Sequence, residues 1–263
     1  MIRRFSILLM LLFGSCGAEA QTVRFASVAV GTSPAGPEIS GAMYRPSGGG
    51  PFPGLVLAHS CAGVNQHNEI WAKLLSSWGY VVVSPDSFTP RGETNVCGRG
   101  NAVSGNTRVA DVAGALAFLN AQPFVRRNEL GLVGHSHGGW TTVRAVQQGY
   151  DLAAHGLKAA VAYYPSCQAQ FDRDVAVPLL ILIGDKDDWT PADACRRLQA
   201  AGFTRPDLVE AVYYPNAHHA FDNKGLDRTI TVANGKSHRL LYDPVAGPDA
   251  EARTRAFLTK YLR

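Results

Sequence analysis

The amino-acid sequence predicts an α/β protein with a mostly parallel central sheet and helices on both faces. Three observations carry this. Short, nearly continuous apolar runs, such as Gly54-Leu55-Val56-Leu57-Ala58-His59 and Tyr80-Val81-Val82-Val83-Ser84-Pro85, read as strands buried on both faces. Segments with apolar residues at helical spacing alternate with them. The composition, 46% hydrophobic and 17% charged over 263 residues, is that of a globular chain long enough to bury a sizeable core.

Residues 22–30 and 39–46 open the fold as two strands of β-branched and alternating character. Ser47-Gly48-Gly49-Gly50-Pro51 is a turn by composition, and residues 54–59 form the third strand. Residues 68–78 carry Ile70, Trp71, Leu74, Leu75 and Trp78 at helical spacing, with Gly79 as the stop. A strand over 80–85, a helix over 109–119, a strand over 130–134 and a helix over 139–148 follow. Strands at 159–164 and 179–183 come next, and the order allows a further helix between them. A helix over 192–201, a strand over 209–214 and a closing helix over 249–262 complete the pattern. Residues 87–107 and 222–248 read as long irregular loops, a length usually reserved for functional or mobile segments. No internal repeat or interdomain linker interrupts residues 21–263, which read as a single domain.

Residues 1–20 read as a signal peptide. Arg3 and Arg4 precede an apolar run from Phe5 to Gly14, too short for the ~20 residues that cross a bilayer. Ala18-Glu19-Ala20 then supplies a cleavage site after Ala20. A lipid-modified Cys16 would want a branched aliphatic residue three positions earlier, where Phe13 stands. Cleavage removes Cys16 and leaves Cys61, Cys97, Cys167 and Cys195, an even set that in an exported chain reads as two disulfides with three possible connectivities. The expected location is periplasmic or secreted, with no membrane association after cleavage. The formal charge of +4 is scattered, with no basic stripe to suggest a nucleic-acid partner.

The sharpest chemical signal is Gly134-His135-Ser136-His137-Gly138, placed between a strand and a helix. That is the context of a nucleophile elbow, in which two glycines make room for a serine on a strained turn and the following helix offers N–H groups to a developing oxyanion. Such a serine needs an acid and then a base later in the chain. Asp185, Asp187 and Asp188 follow the strand ending at Gly184, and His218 and His219 follow the strand ending at Tyr214. Both groups therefore fall on the strand edge that carries Ser136, the edge where ligands bind in open α/β sheets. A metal centre drawn from His59, His135, His137, His218 and His219 is the rival reading of the histidines.

Gly134-His135-Ser136-His137-Gly138, Gly184-x-x-Asp187-x-x-x-Pro191 and Tyr214-Pro215-x-Ala217-x-His219-x-Phe221 resemble the dienelactone hydrolase family of α/β-hydrolases, over roughly residues 40–262. The resemblance implies the α/β-hydrolase fold, Asp187 as the acid, His219 as the base, and the N–H groups of His137 and Cys61 as the oxyanion hole. Dienelactone hydrolases proper carry a cysteine nucleophile where this chain has Ser136. In that fold the strands ending at His59 and Pro85 are neighbours, as are those ending at Tyr164 and Gly184, which implies the pairs Cys61–Cys97 and Cys167–Cys195. An arginine near Arg91 binds substrate carboxylates in some members, so Arg91 becomes a candidate substrate contact; Trp140 and Trp189, beside the catalytic positions, are candidate pocket walls. The expected function is that of an exported serine hydrolase cleaving a carboxylic ester or lactone, a small-molecule substrate, with no metal or organic cofactor. A peptidase or polyester hydrolase on the same fold is the alternative, and a non-catalytic binding protein the rival of another class.

Overall fold

A run of apolar residues without polar alternation has to be covered on both sides, and the computed structural model, which describes residues 20–262, shows how this chain does it. Eight strands form one sheet: β1 (Gln21–Ala26), β2 (Glu38–Tyr44), β3 (Phe52–Ala58), β4 (Val81–Pro85), β5 (Val125–His135), β6 (Leu157–Tyr163), β7 (Leu179–Gly184) and β8 (Val209–Tyr214). Their spatial order is β1-β2-β4-β3-β5-β6-β7-β8. The β1–β2 and β2–β4 pairs are antiparallel, and every other pair is parallel. Every residue of β4 and β7 is buried, so the sheet is covered on both faces, whereas the edge strand β1 alternates exposed and buried residues. Leu55, Val56 and Leu57 are wholly excluded from solvent, and burial of each such side chain contributes about 1.5–3 kcal/mol.

The covering helices are α1 (Gln66–Ser77), α2 (Gly105–Asn120), α3 (His137–Ala145), α4 (Ala192–Ala200) and α5 (Ala246–Tyr261). Several begin earlier than apolar spacing predicts, because polar caps start them. The Asn65 side chain accepts from the His67 N–H at 2.9 Å while Asn68 accepts from the Asn65 N–H at 3.2 Å, a reciprocal cap that starts α1 two residues before residue 68. Ser104 caps α2 by accepting from the Thr107 N–H at 3.1 Å.

Two expectations are corrected. No helix forms between β6 and β7; that segment is held by the Cys167–Cys195 disulfide and by Asp172, which accepts from the Gln168 N–H and pairs with Arg144. The stretch 222–248 is not irregular throughout, since β9 (Asp227–Thr231) and β10 (Ser237–Leu241) form an antiparallel hairpin. Its turn holds Asn234-Gly235, with Gly235 at φ +78°, a hairpin signal that lay in the sequence. The expected signal peptide lies, apart from Ala20, outside the described residues. Among the described residues no helix is long and apolar enough to cross a membrane.

Candidate active site

Strand β5 ends at His135 and α3 begins at His137, so the chain must turn sharply at the one residue between them. Ser136 takes φ 56° and ψ −111°, a conformation an L-residue adopts only when its surroundings impose it. The surroundings are backbone. A Cβ at Gly134 would lie 2.2 Å from the Gly138 carbonyl oxygen, and one at Gly138 would lie 2.1 Å from that of Ala58. Only glycine allows β3, β5 and α3 to approach this closely. The turn is closed by the Ser136 N–H donating to the Tyr163 carbonyl and the Trp140 N–H donating to the Ser136 carbonyl, both at 2.9 Å.

The strand order places the ends of β7 and β8 on the same edge. His219 Nε2 lies 2.9 Å from Ser136 Oγ, and His219 Nδ1 lies 2.8 Å from Asp187 Oδ2. Asp187 accepts further bonds from the backbone N–H groups of Trp189 and Thr190 and from the Thr190 hydroxyl. Burial works against its charge, but the His219 imidazole and these donors outweigh it and hold the carboxyl below its ordinary range. The His219 ring packs between Tyr164 and Trp189, at centroid distances of 4.7 and 4.9 Å. The neighbouring candidates are engaged elsewhere. Asp185 pairs with Arg196, and Asp188 accepts the Arg239 N–H on the hairpin. His218 makes no hydrogen bond to Ser136, which His219 alone reaches among the described histidines.

The Cys61 carbonyl accepts the Val96 N–H, and its own N–H has no partner among the described residues. As the first residue of α3, His137 presents its N–H outside the helical ladder. Its ring is fixed: Arg108 donates to Nδ1 at 2.8 Å, and Nε2–H donates to the Gly100 carbonyl at 3.0 Å. Burial first, then the Arg108 charge, push the His137 pKa down to about 3, so the ring is neutral. His59, driven well below its ordinary value by burial, bridges the ends of β3 and β4 by accepting the Ser87 N–H.

Both disulfides are present, Cys61–Cys97 and Cys167–Cys195, in the expected pairing. The first joins the loop after β3 to residues 87–107, and Val96, Cys97 and Gly98 there line the cavities at Ser136. Trp140 lines the smaller cavity, and Trp189 lines both.

Arg91 is not where a substrate contact would be. Its two terminal nitrogens donate to the Asp111 carboxylate at 2.9 and 2.8 Å and one also reaches the Ser87 carbonyl, and it lines neither cavity. The physical reason is Asp111 itself, fully buried on α2, which needs a counter-charge more than a surface loop needs an arginine.

Sequence reasoning missed a second polar cluster. Asp222 Oδ2 accepts from the Trp71 indole at 2.7 Å and from His67 Nε2 at 2.9 Å, with His135 Nε2 3.5 Å away, and Oδ1 accepts the Tyr164 hydroxyl at 2.7 Å. Burial opposes the charge, yet the two imidazoles and the hydroxyl hold the Asp222 carboxyl far below its ordinary range. His67, His135 and Asp222 are the group among the described residues whose ligand atoms lie close enough to share a metal, within 4.8 Å. Their present partners make them a hydrogen-bonded network around one carboxylate. The five histidines considered from the sequence do not converge on one point: His59 and His137 are tied to backbone, and His219 faces Ser136.

Comparison with known proteins bears on the family and the fold. A chain of Azospirillum brasilense named "Putative carboxymethylenebutenolidase" is 27% identical over 257 residues, covering 87% of this chain and 97% of that one. Among solved structures, the dienelactone hydrolase of Anabaena variabilis superposes with a TM-score of 0.65 at 18% identity, over 94% of this chain and 100% of that one. The dipeptidyl peptidase 4 of Porphyromonas gingivalis superposes with a TM-score of 0.66 at 17% identity, over 93% of this chain but 36% of that one. These two share the fold. The family model described as the dienelactone hydrolase family matches residues 39–262, so the chain belongs to the dienelactone hydrolase family.

Proposed function

We propose that the protein is a serine hydrolase that cleaves a carboxylic ester or lactone through an acyl-enzyme. The observation that carries the reading is the unbroken hydrogen-bonded chain from Ser136 Oγ through His219 to Asp187, set on a strained elbow beside the N–H groups of Cys61 and His137, which have no acceptor among the described residues. Ser136 Oγ attacks the acyl carbon while His219 Nε2 takes its proton. The N–H groups of Cys61 and His137 hold the negative oxygen of the tetrahedral intermediate. Collapse breaks the bond to the leaving oxygen, which receives the proton from His219. Water, deprotonated by the same imidazole, then releases the acid and restores Ser136. Asp187, kept ionised, orients the imidazole and stabilises it when charged. No step of this cycle calls for a metal or an organic cofactor.

Export fits the same reading. Structural disulfides are characteristic of oxidising compartments, and a leader over residues 1–20 would deliver the chain to one. The test is a fluorophosphonate probe. Stoichiometric labelling at Ser136, lost in Ser136→Ala together with hydrolysis of short-chain aryl esters, is expected; activity that survives Ser136→Ala and disappears with chelator would overturn the reading.

A further inference from the structure

Two cavities meet at Ser136, and they differ in chemistry. The smaller, about 230 Å³, is walled chiefly by Val96, Gly98, Gly100, Trp140 and Trp189. The larger, about 540 Å³, runs out beneath the β9–β10 hairpin to Lys224 and Arg228. Ser136, Cys61 and Trp189 line both and mark the neck between them. His219 lines only the larger, and His137 only the smaller.

The reaction assigns the two halves of a substrate to these spaces. The leaving oxygen has to lie within reach of His219 Nε2 to receive its proton, so the alcohol extends into the cavity that His219 lines. With the carbonyl oxygen held by the N–H groups of Cys61 and His137 and the alcohol directed towards His219, the space left at Ser136 for the acyl chain is the smaller cavity. The acyl side is small and mostly apolar, and its walls include Val96 and Gly98, which flank the cystine residue Cys97. The alcohol side is longer and polar. Two cations line it and no carboxylate does, and neither Lys224 nor Arg228 makes an ion pair among the described residues.

We propose that the site takes esters made of a short apolar acid and a larger, anionic alcohol, with the negative charge held by Lys224 and Arg228 on the leaving-group side. The proposal rests on the serine-hydrolase reading above. In the step concerned, the bond between Ser136 Oγ and the acyl carbon has already formed; collapse of the tetrahedral intermediate breaks the bond from that carbon to the alcohol oxygen, and the anionic alcohol departs with that oxygen protonated by His219.

Three series of aryl esters test it. Phenyl esters from acetate to octanoate measure the acyl space, and kcat/KM falls at least about tenfold between butyrate and octanoate. Trp140→Ala moves that limit to longer chains. Carboxyphenyl acetate, compared with a neutral aryl acetate of equal leaving-group acidity, measures the charge preference. The anionic ester is favoured, and Lys224→Ala combined with Arg228→Ala lowers the anionic-to-neutral ratio about fivefold. Phenyl hydrogen succinate carries the charge on the acyl side and is a poorer substrate than phenyl butyrate. Preference for phenyl hydrogen succinate, or equal rates along the acyl series, overturns the proposal while leaving the hydrolase intact. Failure of every ester together with failure of fluorophosphonate labelling overturns the serine-hydrolase reading itself.

Discussion

Ser136 and His219 are held in opposite ways. The serine is fixed by backbone: two glycines, three elements in van der Waals contact, and hydrogen bonds from its own main chain. The histidine sits on a loop and is fixed by side chains gathered from distant parts of the chain. Tyr164 and Trp189 flank its ring, Asp187 takes its Nδ1, and the Leu241 N–H of the hairpin donates to its carbonyl. Asp222, three residues further on, ties the same loop to α1 through His67 and Trp71 and to the end of β6 through Tyr164. A backbone cradle tolerates almost no substitution but needs no partners. A side-chain cradle can be dismantled one partner at a time, and each partner removed should loosen the His219 imidazole without disturbing the elbow.

The largest effect comes from the elbow side. Ser136→Ala removes the proposed nucleophile and leaves the glycine cradle intact, so kcat should fall about 10⁴-fold or more with melting temperature little changed, measured by ester hydrolysis and calorimetry. On the other side, Asp222→Asn breaks a buried charge cluster and should cost about 3 kcal/mol in chemical denaturation. The sign with pH follows from its lowered pKa. The stabilisation from ionised Asp222 is present above the carboxylate's unfolded value and is lost as pH falls towards the much lower folded value. Wild type should therefore lose stability on acidification below about pH 4, and Asp222→Asn should lose less over the same window. A substitution that left this acid slope unchanged would break the contrast between the two cradles.

Removing the Cys61–Cys97 bridge by Cys61→Ser with Cys97→Ser should cost about 2–4 kcal/mol. It should also raise KM for short esters, because the wall formed by Val96 and Gly98 loses its tether to the Cys61 loop. Unchanged KM with lowered stability would reduce that bridge to a scaffold role. The smallest effect is expected at His238, whose ring stacks on Trp189 at 4.7 Å with the planes 3° apart. His238→Ala should cost about 1 kcal/mol and lower kcat a few-fold, read from steady-state kinetics, by releasing Trp189 from one side. Arg91→Ala supplies a control for the corrected residue: it leaves the buried Asp111 carboxylate without its counter-charge, with the Ser27 hydroxyl still donating to it, so stability falls by about 3 kcal/mol in the same denaturation assay while the KM values of neutral and anionic esters move together.

Much of the site was legible because its requirements are local. Ser136 announces itself through Gly134 and Gly138, which a strained strand-to-helix turn demands at those positions. Asp187 and His219 follow apolar strands, and the parallel sheet carries the ends of such strands to one edge. Arg91 was misread because its partner lies on α2, twenty residues further along, and no pattern in the loop reveals a buried carboxylate waiting there. The hairpin was overlooked because its strands are five residues each and β9 is largely exposed, so only β10 carries the alternation that burial imposes, with His238 and Leu240 buried, although Asn234-Gly235 marked the turn.

By itself, the sequence determined the mostly parallel α/β architecture and the glycine-framed strand-to-helix turn at Ser136, and its motifs carried the resemblance to the family, since these depend on hydrophobic period, strand ends and backbone room, all of which are written in short stretches of chain. Only the tertiary structure decided that Asp222 gathers His67, Trp71 and Tyr164, that Arg91 serves Asp111, and that two unlike cavities flank one serine. Each of these depends on burial bringing together groups far apart in the chain, where an unpaired charge is costly and its partner is whichever donor the packing places within reach.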